Sequence, residues 1–132
     1  MNLLLDTHIA IWALLDSPKL LPSSRELIMD PDNSIYVSAV STWEIMLKRR
    51  THPENMNLTP ALFAESCKEA GFIPLSLQDK HILTADAFPP SVDGHKDPFD
   101  RLLLAQAKTE NMNLLTHDRK LSLYQDNCVI FQ

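Results

Sequence analysis

Short apolar runs alternate along the chain with longer segments of mixed polarity. Leu3-Leu4-Leu5 is a continuous apolar run that stops at Asp6, the pattern of a strand buried on both faces. Thr7 opens a helix to about Leu15. Ser23-x-x-Glu26 reads as a capping box for a second helix that ends before Pro31. Asp32-Asn33-Ser34 is a turn, and Ile35 to Val37 a second strand. Ser41-x-x-Glu44 opens a helix with Trp43, Met46, Leu47 and Arg50 at i, i+3, i+4 and i+7. A loop, His52 to Asn57, leads to Thr59-Pro60, an N-cap followed by proline at the first helical position. That helix runs to about Ala70 and is closed by Gly71. Phe72 to Leu75 is an edge strand, because Pro74 removes a ladder donor. Ser76 caps a helix to about Ala87, followed by a polar, Pro-rich loop from Phe88 to Lys96. Asp97-Pro98 starts a helix through Ala107 that is apolar on nearly all sides and so central. Asn113 to Leu115 is a strand ending at Thr116-His117-Asp118. A helical turn and a last strand, Cys128 to Phe131, complete the chain. The alternation predicts a three-layer α/β/α sandwich on a mostly parallel sheet of about five strands, with right-handed crossovers.

The length, 132 residues, is that of one domain covering 1–132. Composition is ordinary for a soluble globular chain, 45% hydrophobic and 22% charged. Cys67 and Cys128 have no CxxC spacing and read as reduced, buried thiols of a cytoplasmic protein rather than a disulfide framework, although a bridge between them stays open. The apolar N-terminus lacks a basic n-region and is interrupted by Asp6 and His8, so it is not a signal peptide. No segment reaches the ~18–20 apolar residues of a membrane span. Only Gly71 and Gly94 are glycine, which excludes a glycine-rich phosphate loop. The net charge of −5 argues against a nucleic-acid partner. That argument weakens if the acids gather in one place and bind cations.

Four segments deliver an acid near a strand-to-helix junction: Asp6, Glu44, Asp97 with Asp100, and Asp118. Each has a plain structural role available. Asp6 and Thr7, Asp97 and Asp118 are all potential caps. Glu44 is the third helical position of a box with Ser41, and Lys48 stands at i+4 for a surface ion pair. Glu26 and Asp79 have the same chemistry; Glu26 follows a loop and is a cap only, and Asp79 is a weaker candidate. What sets the four segments apart is joint placement. In a parallel sheet, helix N-termini lie at the carboxyl edge of the strands, where ligands bind. Converging carboxylates cannot all stay ionised without a cation, and Mg²⁺ or Mn²⁺ prefers oxygen ligands. Acids around such ions form a phosphoryl-transfer arrangement.

With LLLDTHIAIW at 3–12, SAVSTWEIMLK at 38–48, HKDPFDRLLLAQA at 95–107 and LLTHDRKL at 114–121, the chain resembles a PIN-domain ribonuclease, more narrowly a VapC-type toxin of a toxin–antitoxin pair. The likeness spans essentially the full chain. It implies an acidic site of Asp6, Glu44, Asp100 and Asp118. Asp6, Asp100 and Asp118 would contact Mg²⁺ or Mn²⁺, with Glu44 acting through water or behind them. Thr116 matches a hydroxyl that orients water or metal, and Asp97 becomes a cap or auxiliary acid. The resemblance also implies an RNA substrate, an antitoxin that puts a basic side chain into the acidic site, and a homodimer.

Other residues carry two readings each. His8 contacts RNA or packs in a hydrogen-bonded setting. Lys48, Arg49 and Arg50 grip phosphates or complement their helix dipole. Arg101 and Arg119 follow site acids and either bind the scissile phosphate or pair with the carboxylates. His95 and His117 lie near the proposed edge, but metal-assisted hydrolysis needs no histidine. Trp12 and Trp43 read as core. The competing functions are a catalytically idle PIN module that binds RNA or a partner protein, a receiver-like domain, and a haloacid-dehalogenase-like phosphatase. The last two lack their acids, since the first strand is followed by Asp6-Thr7-His8 rather than paired acids or Asp-x-Asp.

Overall fold

The strand β1 (Asn2–Leu5) is the middle of a five-stranded sheet. The computed structural model describes residues 1–55, 57–89 and 97–132; His95, and most of the loop expected up to Lys96, lie outside them. Around β1 stand β2 (Ser34–Ser38), β3 (Ile73–Leu75), β4 (Asn113–Thr116) and β5 (Val129–Phe131), in the order β3-β2-β1-β4-β5. Every pairing is parallel, with Leu4 opposite both Tyr36 and Leu114. Pro74 sits in β3 at an edge, where its missing N–H costs least. The strand order reverses between β1 and β4, which makes their carboxyl ends the topological switch point of the sheet.

Among the described residues the α-helices are α1 (Thr7–Leu14), α2 (Pro22–Met29), α3 (Ala39–Thr51), α4 (Pro60–Glu69), α5 (Asp79–Ala87), α6 (Pro98–Thr109) and the single turn α7 (Arg119–Ser122). The strand period of two divides the core between two layers. Leu3 and Leu5 of β1, Ile35 and Val37 of β2 and Leu115 of β4 pack with Ile9, Ala10, Ile45, Phe63 and Cys67 on one face. Leu4 and Leu114 face the other way, onto Leu103, Leu104, Ala107 and Leu121. The central placement expected for α6 holds, with Leu103 through Ala107 all buried. Cys67 and Cys128 are free thiols. Among the described residues no helix is long and apolar enough to cross a membrane.

Several helix starts differ from the sequence reading. α2 begins at Pro22 with Leu21 as N-cap and no side-chain cap, so Ser23 and Glu26 form no box. α3 begins at Ala39, capped by the Ser38 hydroxyl, which accepts from Val40 N at 2.9 Å. Ser41 therefore lies inside the helix. Its inward face is Val40, Ser41, Glu44 and Ile45, so Trp43 is turned outward and is 41% exposed rather than core. Two polar residues on that face disguised the stripe. α5 starts behind Gln78, whose N–H donates to His81 Nδ1 at 3.0 Å, and Ser76 does not cap it. Thr59 caps α4 as expected, accepting from Leu62 N. Gly71 closes it with φ +83°, and bonds run from Gly71 N to Lys68 O and from Phe72 N to Cys67 O, a left-handed closure that favours glycine.

Candidate active site

The carboxylates at the switch point divide according to whether they cap a helix. Asp97 caps α6, accepting from Phe99 N at 2.9 Å and Asp100 N at 3.2 Å. Asp118 caps α7, accepting from Lys120 N at 2.9 Å. Asp6 stands at the N-cap position of α1 but makes no side-chain cap bond. Asp100 is within the first turn of α6, and Glu44 is inside α3. These three uncapping acids are also the buried ones, 4%, 6% and 4% exposed respectively. A carboxylate is seldom buried without partners that hold its charge.

The partners of Asp6 come from the neighbouring strand. Leu115 O accepts from Asp6 N at 2.9 Å, which carries the β1–β4 pairing one residue past the strand. Thr116 Oγ1 then donates to Asp6 Oδ2 at 2.7 Å, and the same oxygen accepts from Asp118 N at 2.9 Å. One buried hydroxyl thus fixes Asp6 and the start of α7 together. Glu44 is held from the other side. Thr7 Oγ1 lies 2.7 Å from Glu44 Oε1 and 2.8 Å from Ser41 Oγ, and Lys48 Nζ pairs with Glu44 Oε2 at 2.5 Å. The expected Glu44–Lys48 pair exists, but its acid end is buried rather than on the surface. With both oxygens engaged, Glu44 adds charge to the site from behind.

Burial raises the pKa of Asp6. Repulsion from Glu44 adds to that, while the Thr116 bond, His8 and the Thr7 backbone oppose it. Burial also pushes Asp100 up to about 8, with further repulsion from Asp6, Asp97, Asp118 and Glu44. The four segments singled out in the sequence therefore reach one electrostatic neighbourhood. Among the described residues, however, no three His, Cys, Asp or Glu side chains stand where one ion would take all three as ligands. The donor set suits a hard cation in type: oxygen only, negative and shielded from water.

Arg101 takes neither role expected of it. Its guanidinium donates to Ala85 O at 2.9 Å and Phe88 O at 3.0 Å and lies 5.9 Å from the Phe88 ring centre. It holds the C-terminal end of α5, bonding the Ala85 carbonyl, which also accepts from Phe88 N, and the carbonyl of the cap residue Phe88. Arg49, Arg50 and Arg119 are exposed, as is His8. An apolar hollow of about 780 Å³, lined by residues such as Phe63, Cys67, Phe72 and Pro74, lies beside the β3 edge and holds none of the switch-point acids. The carboxylate chemistry lies at the switch point instead. The sequence reading missed Ser38 and Gln106, and it took the supporting hydroxyls Thr7 and Ser41 only as caps. Ser38 Oγ bonds to Gln106 Oε1 at 2.5 Å, and Gln106 Nε2 donates to Ser76 O at 3.2 Å. A lone glutamine in the run Leu102 to Ala107 was the available signal, because a buried amide needs partners.

Residues 3–127 match the PIN domain family profile. This chain is a PIN domain. Over 126 residues it is 32% identical to Ribonuclease VapC22 of Mycobacterium tuberculosis (strain ATCC 25618 / H37Rv), covering 91% of this chain and 89% of that one. That likeness places the PIN domain among the VapC-type members. Solved structures share its fold. VapBC2 from Rickettsia felis, bound to a DNA fragment from their promoter, matches with a TM-score of 0.67 at 15% identity, over 100% of this chain and 98% of the other. VapBC-1 from nontypeable Haemophilus influenzae matches at 0.64 and 16%, over 100% and 97%. A toxin–antitoxin complex from Klebsiella pneumoniae matches at 0.63 and 16%, over 96% and 94%.

Proposed function

We propose that this PIN domain, taken as one domain over 1–132, is a cytoplasmic divalent-metal-dependent endoribonuclease and the toxin of a toxin–antitoxin pair. The observation that carries the reading is the meeting of Asp6 and Asp100 at the β1/β4 switch point, both buried, neither capping a helix, each with a raised pKa. Kinship with a protein named as a ribonuclease gives the reaction class. Asp6 and Asp100 would hold Mg²⁺ or Mn²⁺. Mg²⁺ commonly keeps several waters and takes one or two carboxylates with substrate phosphate, so two protein ligands suffice. When bound, such an ion supplies a water nucleophile near neutral pH and offsets charge on the attacked phosphate. Thr116 orients Asp6 through its 2.7 Å bond. Glu44 and Asp118 deepen the negative field. Arg49 and Arg119 at the surface meet the RNA backbone, and His8 beside Asp6 contacts the RNA. Lys48 is committed to Glu44.

Structural neighbours solved as toxin–antitoxin complexes support a protein inhibitor whose basic side chain replaces the cation's charge in the acidic site. A homodimer belongs to the same proposal. The alternative, an idle module that binds RNA or a partner, is favoured by the lack of three converging ligands among the described residues. Purified, partner-free protein incubated with a mixed structured RNA pool separates the two. Cleavage with Mg²⁺ or Mn²⁺, absent in EDTA and absent in Asp6→Asn, supports the nuclease. Cleavage that persists in EDTA, or none by wild type, removes it.

A further inference from the structure

Four rings form a continuous strip beside the acids. His8 lies 6.0 Å from Trp12, one turn further along α1. Trp12 meets His117 edge-on at 5.5 Å, and His117 lies nearly parallel to Phe131 at 6.4 Å. The strip is fixed rather than loose. His117 Nδ1 bonds to Gln132 O, Gln132 N donates to Thr116 O at 3.0 Å, and Ser24 Oγ bonds to Gln132 Oε1 at 2.5 Å. His8 and His117 are exposed, Phe131 is 46% exposed, and Trp12 is half-buried behind them. The rings also bracket the site in sequence: His8 follows Asp6 by two residues, and His117 stands between Thr116 and Asp118. Exposed Arg119 and Lys120 come next. Rings beside cations are what an unpaired strand needs, since bases stack on aromatic faces while the backbone meets positive charge.

We propose that His8, His117 and Phe131, keyed by Trp12, form a stacking shelf for unpaired bases next to the bond that is cut. This rests on the nuclease reading above. The shelf positions the strand by ring contact and is given no part in proton transfer.

The test uses the non-cleaving Asp6→Asn protein in EDTA with a short single-stranded RNA carrying 5-iodouridine. Photocrosslinks are expected at His8, Trp12, His117 or Phe131. Adding His117→Ala is expected to weaken binding about tenfold, in line with the loss of one base–ring stack, while His117→Phe keeps it. Phe131→Ala is expected to weaken binding likewise, with thermal unfolding as the fold control. Binding of the same sequence as a duplex should not respond. Crosslinks elsewhere, or unchanged single-strand binding in both alanine variants, overturn the shelf. So does a changed oligomeric state with unchanged RNA binding, which would mean the rings cover a second copy. If wild type cleaves RNA with metal while the shelf variants bind normally, the shelf alone fails. If wild type cleaves nothing, the nuclease reading fails, and the EDTA binding data still decide the shelf.

Discussion

The Thr116 hydroxyl donates to Asp6 Oδ2 at 2.7 Å across the β1–β4 switch point and accepts from Asp118 N at 2.9 Å. A residue with no charge thereby aims the buried acid at the crevice and anchors the segment carrying the neighbouring one. Thr116→Val keeps the shape and removes both bonds. The expected result is a 10- to 100-fold weaker Mn²⁺ affinity, the usual scale for losing a group that orients a ligand, with Thr116→Ser largely restoring it. Calorimetric titration of the three proteins checks this.

Asp100 gives a pH dependence with a definite sign. Its pKa is raised to about 8 in the fold, against about 3.9 unfolded, so the folded state binds the extra proton between those values. Its contribution to stability is fully present below pH 4 and is lost as pH rises through 8. Metal-free wild type should therefore lose Tm from this group between pH 5 and 8.5, and Asp100→Asn should lose less. Added Mn²⁺ should restore wild type but not Asp100→Asn. Thermal unfolding across that range, with and without metal, is the measurement.

Arg101 holds α5 rather than phosphate, through Ala85 O and Phe88 O. Arg101→Ala should lower stability by about 1–3 kcal/mol, the cost of leaving carbonyl partners unmade, and should leave RNA affinity within twofold at temperatures where it is folded. A large loss of RNA affinity in folded protein would return the guanidinium to a phosphate role. Chemical denaturation and filter binding report the two effects separately.

Lys48 and Arg49 are adjacent but differ in duty. Lys48 is paired with buried Glu44 at 2.5 Å, whereas Arg49 is exposed. Lys48→Met should cost roughly 1 kcal/mol of stability by leaving a buried carboxylate short of a partner. Arg49→Met should stay within about 0.5 kcal/mol but reduce the salt dependence of RNA binding.

Most of the architecture was legible because parallel strands buried on both faces are plain apolar runs. Leu3 to Leu5 and Leu114-Leu115 were readable for that reason, as was Pro74 at an edge. The acids were legible as a group through their junctions. Their separate duties were not, because an aspartate that caps and one that faces a crevice have the same neighbours in sequence. Asp97-Pro98 and Asp118-Arg119 look no different from Asp6-Thr7, yet only the first two cap. Ser41 was the start that the sequence pattern suggested for α3, and Ser38 was not read as one. The choice fell to Ser38 because Glu44 turns inward to Thr7 and Lys48 instead of reaching back to a cap. The Thr7–Glu44 contact spans 37 residues, beyond the range of any local pattern, whereas the Glu44–Lys48 pair at i, i+4 was legible.

In the proposed site Asp6 and Asp100 together hold a divalent cation. Isothermal titration of Mn²⁺ into metal-free wild type, Asp6→Asn and Asp100→Asn at pH 7.5 asks this directly, without RNA or partner. Saturable binding by wild type that is lost in both variants, with all three proteins folded, is the predicted result. Equal heats in all three, or none in wild type, would contradict it and leave the buried acids without a metal to explain them.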